Sequence, residues 1–169
     1  MTTPRKKPLI TLYTPGNRRD LIAKAARFAP DAIVIDLEDA VPIQLKAEAR
    51  RDMGTLIPTL GMNCLVRVNS EPANLEPDLE AVVSGSIYGI GLPMAETVEQ
   101  VQRADRIITR LEREQGLAPD SVKLLLLIET ALGVYNCFQL CKAAKRVESV
   151  IFGSAEDGDL QRDLRSSFS

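Results

Sequence analysis

The stretch Val122-Lys-Leu-Leu-Leu-Leu-Ile-Glu-Thr130 is an apolar run that ends abruptly on a carboxylate, Glu129. A half-buried strand alternates apolar and polar residues, and this run does not alternate. The stretch therefore predicts a strand buried on both faces, which is typical of a parallel sheet covered by helices. Folds of this kind place their chemistry at the carboxyl ends of the strands, where Glu129 stands.

Five more apolar runs share this plan. They begin near residues 8, 32, 63, 86 and 147, and helical patterns separate them. Units of roughly 25–35 residues have the length of a βα step, so the alternation predicts an α/β fold, either an open doubly wound sheet or a (β/α)8 barrel. No GxGxxG or Walker-type loop follows any run, which disfavours a dinucleotide-binding sheet. A complete barrel takes eight units and about 250 residues. We therefore predict a TIM (β/α)8-type barrel with about six βα units in these 169 residues.

This barrel is expected to form a single, incomplete domain over residues 8–169, after a disordered tail over residues 1–7. Local signals predict several details of the helices. Asn17 is a candidate cap for the first helix, and Thr97 with Gln100 predicts a capping box. Residues 70–74 are expected to form a loop before a short helix at 77–83, and a later helix is expected at about 133–145. The apolar positions assigned to that later helix are Val134, Phe138, Cys141 and Ala144, with Cys137 and Cys141 expected to be small core residues.

The composition excludes several classes of function. Hydrophobic residues make up 45% and charged residues 26% of the chain, and the net charge is -2, so we expect a globular protein without nucleic acid or an anionic membrane as partner. The start of the chain resembles neither a signal peptide nor a membrane anchor, and three cysteines suggest no disulfide framework, so a cytoplasmic location is expected. The absence of histidine excludes Ser-His and Cys-His nucleophiles and the usual zinc or iron sites.

Carboxylates gather where the predicted strands end. Since the carboxyl ends of parallel strands meet at one mouth of a barrel, such groups must bind a metal ion, pair with arginine or take up protons. Oxygen ligands without imidazole favour Mg²⁺ or Mn²⁺, and Glu129 and Asp157 come from neighbouring strands, so we predict that both bind the ion. Asp39 and Glu156 are equally well explained as helix caps. The carboxylates are Asp36, Glu38 and Asp39 after the second run, Glu96 after the fourth, Glu129 after the fifth, and Glu156 and Asp157 after the sixth.

The third run ends on Arg67 and then Asn69. A guanidinium at the mouth is suited to hold a substrate carboxylate or carbonyl, and Asn69 is a second candidate for binding substrate. The alternative is a structural ion pair between Arg67 and Asp36 or Glu38. A divalent ion with a guanidinium stabilises a developing enolate, which favours carbon–carbon cleavage or formation next to a carbonyl.

Five motifs, in order, resemble the citrate lyase β-subunit-like group of the HpcH/HpaI aldolase family, over essentially all of residues 8–169. The motifs are Leu12-Tyr-Thr-Pro-Gly-Asn-Arg18, Ile35-Asp-Leu-Glu-Asp-Ala-Val41, Val66-Arg-Val-Asn69, Leu127-Ile-Glu-Thr130 and Phe152-Gly-Ser-Ala-Glu-Asp157.

The resemblance implies a Mg²⁺-binding TIM barrel that cleaves or condenses 3-hydroxyacyl-CoA thioesters, such as citryl-CoA or malyl-CoA, through a metal-stabilised enolate. It implies that Glu129 and Asp157 are the metal ligands, that Arg67 binds substrate, and that Asp36 and Glu38 form a catalytic acidic pair beneath the metal. It also implies a homo-oligomer, either a trimer or a hexamer, with a small acyl-CoA or oxo-acid as the substrate.

The chain departs from the family pattern at Met94, where lysine is usual, and at Gly158, where a larger apolar residue is usual. Its length also corresponds to only part of the family's barrel. Two other functions therefore stay open. One is a class II-type aldolase that acts on free 2-oxo or hydroxy acids, and the other is a truncated, non-catalytic subunit that binds metal or CoA.

Overall fold

The computed structural model describes residues 7–155 and 157–166. Six parallel strands form one sheet in chain order, and a helix connects each strand to the next. The strands are β1 (Thr11–Pro15), β2 (Ala32–Asp36), β3 (Cys64–Arg67), β4 (Ile87–Leu92), β5 (Lys123–Ile128) and β6 (Val147–Phe152). The helices are α1 (Arg19–Ala25), α2 (Lys46–Leu56), α3 (Pro72–Val82), α4 (Val98–Glu114), α5 (Ala131–Lys142) and α6 (Asp159–Leu164).

The order of the strands decides between the two predicted architectures. A doubly wound sheet reverses its order at a switch point, whereas this sheet runs from β1 to β6 without a reversal. The sheet is therefore of the TIM-barrel type with six βα units, and the predicted fold class is confirmed. All six predicted strands are present, although each begins or ends a few residues inside its apolar run.

The two faces of the sheet carry different cores. Side chains such as Ile33 and Ile35 point towards the helices and belong to the large core between helices and sheet. Intervening residues such as Val34, Leu65 and Tyr88 form a smaller cluster made of strand residues alone, which marks the interior of the barrel. Because side chains alternate along a strand, Asp36 and Arg67 lie on this interior face, in step with Val34 and Leu65.

Helix caps follow the sequence signals only in part. The predicted capping box is confirmed, because Thr97 accepts the N–H of Gln100 and the Gln100 side chain accepts the N–H of Thr97. Thr130 caps α5 by accepting the N–H of Gly133 at 3.0 Å. The expected cap by Asn17 is wrong, because its Oδ1 is buried and accepts no hydrogen bond among the described residues.

Helix α3 begins at Pro72, so the expected loop over residues 70–74 and the helix start near 77 are wrong. Pro72 occupies the first position of the helix, where its missing N–H has no intrahelical acceptor to lose. Pro77 lies inside the helix, and buried Leu75 and Leu79 on either side of it anchor α3 to the core. Tertiary packing here outweighs the local cost of a proline within a helix.

Helix α5 is rotated relative to the apolar positions predicted for it. Val134 is 39% exposed, Phe138 is 66% exposed and Cys141 is exposed, so the expectation of a core Cys141 is wrong. The buried positions are Gly133 and Leu140. A Cβ atom at Gly133 would lie 2.7 Å from the carbonyl oxygen of Ala95, so the glycine allows α5 to pack directly against the segment after β4.

The predicted tail, residues 1–7, lies outside the described residues except for Lys7, which is exposed. No helix in the described part of the chain is long and apolar enough to cross a lipid bilayer.

Candidate functional site

Three of the predicted site residues meet at the carboxyl ends of the strands, on the interior face. Asp36 at the end of β2 is the register partner of Arg67 at the end of β3. Gly91 on β4 faces them without a side chain of its own. A Cβ atom there would make ordinary van der Waals contacts, at 3.5 Å with the Cα of Arg67 and at 3.4 Å with the Leu127 side chain. Glu129 follows β5 two residues after Leu127 and therefore continues the interior face.

Arg67 is the cation of this site. Its Nε and Nη2 donate to the two carboxylate oxygens of Asp36, at 2.9 and 2.7 Å. Nη1 lies 2.9 Å from Oε2 of Glu38 and 3.2 Å from Oδ2 of Asp39. Burial alone would lower the pKa of Arg67, but the hydrogen bonds and charges of these carboxylates outweigh it and raise the pKa. The structural ion pair that the sequence left open is therefore present.

Asp36 is fully engaged within the chain. Besides both bonds from Arg67, its oxygens accept the N–H groups of Glu38 at 2.9 Å and Ala40 at 3.0 Å. Each carboxylate oxygen thus accepts two hydrogen bonds, and only 3% of the residue is exposed. These contacts make Asp36 the group that orients Arg67, and its predicted catalytic role stays a prediction.

Glu38 is held less completely than Asp36. Its Oε2 is buried and, although close to Arg67, accepts no hydrogen bond among the described residues. Burial raises the pKa of Glu38 to about 8, because the opposing charge of Arg67 is shared with Asp36 and Asp39, which themselves raise it. A carboxyl with a pKa in this range is suited to take up and release a proton near neutral pH.

Replacing Glu38 by glutamine is expected to stabilise the chain at high pH. The pKa of Glu38 is raised from an ordinary 4.5 to about 8 on folding, so its contribution to stability is complete below about pH 4.5 and is lost as the pH rises through about 8. We expect the free energy of unfolding of Glu38→Gln, relative to that of the wild type, to rise by at least about 1 kcal/mol when the pH is raised from about 5 to about 9. One pKa unit corresponds to about 1.4 kcal/mol. Urea unfolding at both pH values measures it. The exposed Glu48→Gln on α2 is the control, and equal gains in both variants would contradict the assignment.

Glu129 lies half-buried near these groups. Its Oε2 accepts the N–H of Met94 at 3.0 Å, and its Oε1 accepts no hydrogen bond from any described residue. Met94 adopts a left-handed backbone with φ of 50°, which places this N–H at the end of β4. Burial raises the pKa of Glu129, Arg67 and the Met94 N–H oppose the rise, and the charges of Asp159 and Asp39 add to it.

The second predicted metal ligand, Asp157, lies in the turn before α6. Its backbone φ is 56° and its N–H donates to Oε1 of Gln161 at 2.6 Å, while the residue itself is exposed. Glu156 lies outside the described residues. Within residues 7–155 and 157–166, no three acidic or cysteine residues converge on one metal position.

Two carboxylate oxygens of the site have the chemistry that a hard divalent cation prefers. Oε1 of Glu129 and Oε2 of Glu38 have no hydrogen-bond donor among the described residues. Both carboxyls have a raised pKa, so a nearby positive charge would relieve the cost of ionising them. Carboxylate oxygens without imidazole are the ligands that Mg²⁺ prefers.

Asn69 is completely buried, and its amide is used within the chain. Its Nδ2 donates to the carbonyl of Leu37 at 3.0 Å and to Asp78 at 2.7 Å, and its Oδ1 accepts from Lys46 at 2.5 Å. Both amide hydrogens of Asn69 are therefore used within the chain. The predicted substrate-binding role of Asn69 stays a prediction, while its hydrogen bonds show that it joins the ends of β2 and β3.

Sequence reasoning missed three groups near the site: the Met94 N–H, Lys46 and Asp159. The left-handed turn at Met94 has no sequence signal, because a left-handed backbone conformation is usually adopted by glycine and not by methionine. Asp159, which raises the pKa of Glu129, stands two residues after the predicted ligand Asp157. Lys46 is the first residue of the helix after the acidic loop. A cation is unfavourable at the N-terminus of a helix, and this unusual placement was the signal in the sequence that Lys46 has another partner.

The sequence of the chain is similar to those of several curated proteins. Citrate lyase subunit beta of Leuconostoc mesenteroides subsp. cremoris is 31% identical over 150 residues, which are 86% of this chain and 49% of that protein. A (3S)-malyl-CoA thioesterase of Cereibacter sphaeroides is 33% identical over 161 residues, 93% of this chain and 51% of that protein. The chain thus spans about half the length of these curated relatives.

The fold of the chain is also similar to that of a solved structure. The crystal structure of protein CitE from Mycobacterium tuberculosis in complex with magnesium and acetoacetate superposes with a TM-score of 0.72 at 29% identity, covering 99% of this chain and 62% of that one. The sequence also matches the HpcH/HpaI aldolase/citrate lyase family over residues 9–168, nearly its whole length. The chain belongs to the HpcH/HpaI aldolase/citrate lyase family.

Proposed function

We propose that this chain carries the site of a Mg²⁺-dependent carbon–carbon lyase that cleaves or condenses a 3-hydroxyacyl-CoA of the citryl-CoA or malyl-CoA class. One observation carries the proposal. Asp36 holds Arg67 on the interior face of the barrel, near a half-buried Glu129 with one carboxylate oxygen free of hydrogen bonds. The citrate lyase subunit beta and malyl-CoA thioesterase relatives support the substrate class.

Glu129 and Asp157 would hold the Mg²⁺ ion, and Mn²⁺ has the same ligand preference. The ion would supply a positive charge that stabilises an enolate oxygen. Magnesium in the related CitE structure supports its choice. The Met94 N–H anchors Glu129 through one oxygen, and the other accepts no hydrogen bond from a described residue and is available for ligation.

Arg67 retains the capacity to bind substrate in spite of its ion pairs. Three of its five N–H donors form hydrogen bonds with Asp36 and Asp39, and Oε2 of Glu38 lies 2.9 Å from Nη1. The second N–H of Nη2 is therefore the donor left for a substrate carboxylate or carbonyl. Asp36 keeps the guanidinium in one orientation, so the entropy of ordering it is already lost before substrate arrives. Glu38, beside it, would hold or release a proton near neutral pH.

A class II-type aldolase acting on free 2-oxo or hydroxy acids is the second candidate. Met94 stands where the family usually has lysine, so one cation near the mouth of the barrel is missing. The acetoacetate of the CitE structure, a free oxo-acid, also favours it. A non-catalytic metal- or CoA-binding subunit is the third candidate.

Calorimetric titration of the chain with Mg²⁺, followed by assays with citryl-CoA, malyl-CoA and a free 4-hydroxy-2-oxo acid, tests these candidates. We expect Glu129→Gln to lower the affinity for Mg²⁺ at least about tenfold. Cleavage of a CoA thioester supports the lyase, and cleavage of the free acid alone supports the aldolase. Unchanged Mg²⁺ affinity in Glu129→Gln would contradict the metal site.

Gly153→Ala is expected to lower Mg²⁺ affinity without changing any charge. A Cβ atom at Gly153 would lie 2.8 Å from Cγ of Glu129, so the alanine must displace the carboxylate. We expect a loss of about tenfold or more in the same titration. Gly85→Ala is the matched control, because a Cβ atom there meets only the flexible end of Leu117 at 3.4 Å. Equal affinity in both alanine variants would show that Glu129 does not bind the ion.

A further inference from the structure

The loop between β2 and α2 carries Glu38 and is held from two sides. On one side, the Asp36 carboxylate accepts the N–H groups of Glu38 and Ala40. On the other side, Nζ of Lys46 donates to the carbonyl oxygens of Leu37 at 3.1 Å and Glu38 at 2.7 Å. The backbone on each side of the Glu38 side chain therefore has a polar partner from outside the loop.

Lys46 is itself fixed in place. Its third hydrogen bond goes to Oδ1 of Asn69 at 2.5 Å, which uses all three donors of the ammonium group. Asn69 in turn is bound to Asp78 on α3, and Arg50 donates to the same carboxylate at 2.7 Å. A continuous network thus runs from α3 through Asn69 and Lys46 to the loop.

Lys46 forms no ion pair with a carboxylate among the described residues, which distinguishes it from Arg50 and Arg67. Its acceptors are two carbonyls and one amide. With no donor left over, it has no group to offer a ligand. Its loss would remove one donor from each of two backbone carbonyls of the acidic loop and would take no charged group out of a described ion pair.

We propose that Lys46 is a positioning residue of the candidate site, which holds the backbone of the acidic loop so that Glu38 stays against Arg67. The contribution of this role to catalysis rests on the proposed function, whereas the restraint that Lys46 places on the loop does not. Without Lys46, the Leu37 carbonyl would keep the hydrogen bond from Asn69 and the Glu38 carbonyl would keep that from the Val41 N–H. Both hydrogen bonds that tie the loop to the start of α2 through the ammonium group would be lost.

Amide hydrogen exchange in the ligand-free chain, followed by NMR, tests whether Lys46 restrains the acidic loop. In Lys46→Met, which keeps the aliphatic stem, we expect the amides of Glu38 and Ala40 to exchange at least about tenfold faster, while amides inside β2 keep their rates. Lys46→Arg should restore both rates to within about threefold of the wild type. If Lys46→Met does not fold, Lys46→Gln is measured with the same expectation.

Arg50→Met is the matched control, because it removes a cation of the same network one turn along α2 but no bond to the loop. We expect it to lower overall stability and to leave Glu38 and Ala40 protected relative to β2. Unchanged exchange in Lys46→Met, or the same local increase in Arg50→Met, would overturn the proposal.

A second readout separates this proposal from the proposed function. Binding of acetoacetate in the presence of Mg²⁺, measured by calorimetry, is expected to weaken about tenfold or more in Lys46→Met and less than about threefold in Arg50→Met. A wild-type chain that does not bind acetoacetate with Mg²⁺ would count against the proposed function alone. The exchange rates would still support or overturn the role of Lys46.

Discussion

Arg146→Met is expected to lower the free energy of unfolding by about 3–5 kcal/mol, the loss typical of breaking a buried ion pair. Arg146 is 1% exposed and stands just before β6. Its guanidinium donates to both oxygens of Glu112 at 3.0 Å, to Asp105 at 2.6 Å and to the carbonyl of Val122 at 2.8 Å. The methionine would fill part of the space but would leave the buried Glu112 without its cation.

The loss should depend on pH in a definite direction. Burial raises the pKa of Glu112, but the hydrogen bonds of Arg146 and of the Val122 N–H outweigh this and lower it below the ordinary 4.5. A lowered folded pKa contributes stability that is present above about pH 4.5 and is lost as the pH falls through the folded value. We therefore expect the difference between wild type and Arg146→Met to shrink when urea unfolding is repeated at about pH 3.

Lys145→Met is the matched control for this prediction. Its side chain is 89% exposed and pairs with Asp120 at 3.3 Å, an arrangement typically worth less than about 1 kcal/mol. The two neighbouring cations carry the same charge but differ strongly in burial and in the number of hydrogen bonds they donate. Equal losses in the two variants would contradict the structural role assigned to Arg146.

Arg67→Met should have the second-largest effect, a loss of about 2–4 kcal/mol at about pH 8 together with the loss of substrate binding. The side chain is 13% exposed and faces Asp36, Glu38 and Asp39. Without the guanidinium, these carboxylates and Glu129 would repel one another in a partly buried space. The loss is placed below that for Arg146 because Asp39 is largely exposed and solvent would screen it.

The effect of Arg67→Met is expected to be smaller at about pH 5. Arg67 lowers the pKa of both Glu38 and Glu129, so its removal raises them further above their ordinary values. A raised folded pKa means stability that is present at low pH and lost as the pH rises, so protonation partly compensates for the missing cation. Urea unfolding at both pH values measures this, and Arg18→Met, which breaks an exposed pair with Asp20, is the control. A loss that grows towards pH 5 would be the contrary result.

The sequence by itself determined the fold class and the end of the sheet at which the candidate site residues gather. Buried parallel strands are local apolar runs, and the alternation of side chains along each strand puts Asp36, Arg67 and Glu129 on one face at one end of the sheet. The capping box at Thr97 was also predictable, because both partners lie within a single helical turn. These features depend on residues close together in the chain, and so a single sequence contains them.

Only the tertiary structure decided which partners each polar group takes. Helix α5 carries apolar residues on more than one face, and the close approach allowed by Gly133 selects the buried one. The bond from Lys46 to Asn69 spans 23 residues and that from Arg146 to Glu112 spans 34, so neither has a local signal. The division of the acidic residues into an anchored Asp36 and a partly unsatisfied Glu38 likewise follows from which oxygens meet Arg67 and the loop N–H groups. Long-range hydrogen bonds in a buried setting set these roles, and the spacing of residues along the chain does not encode them.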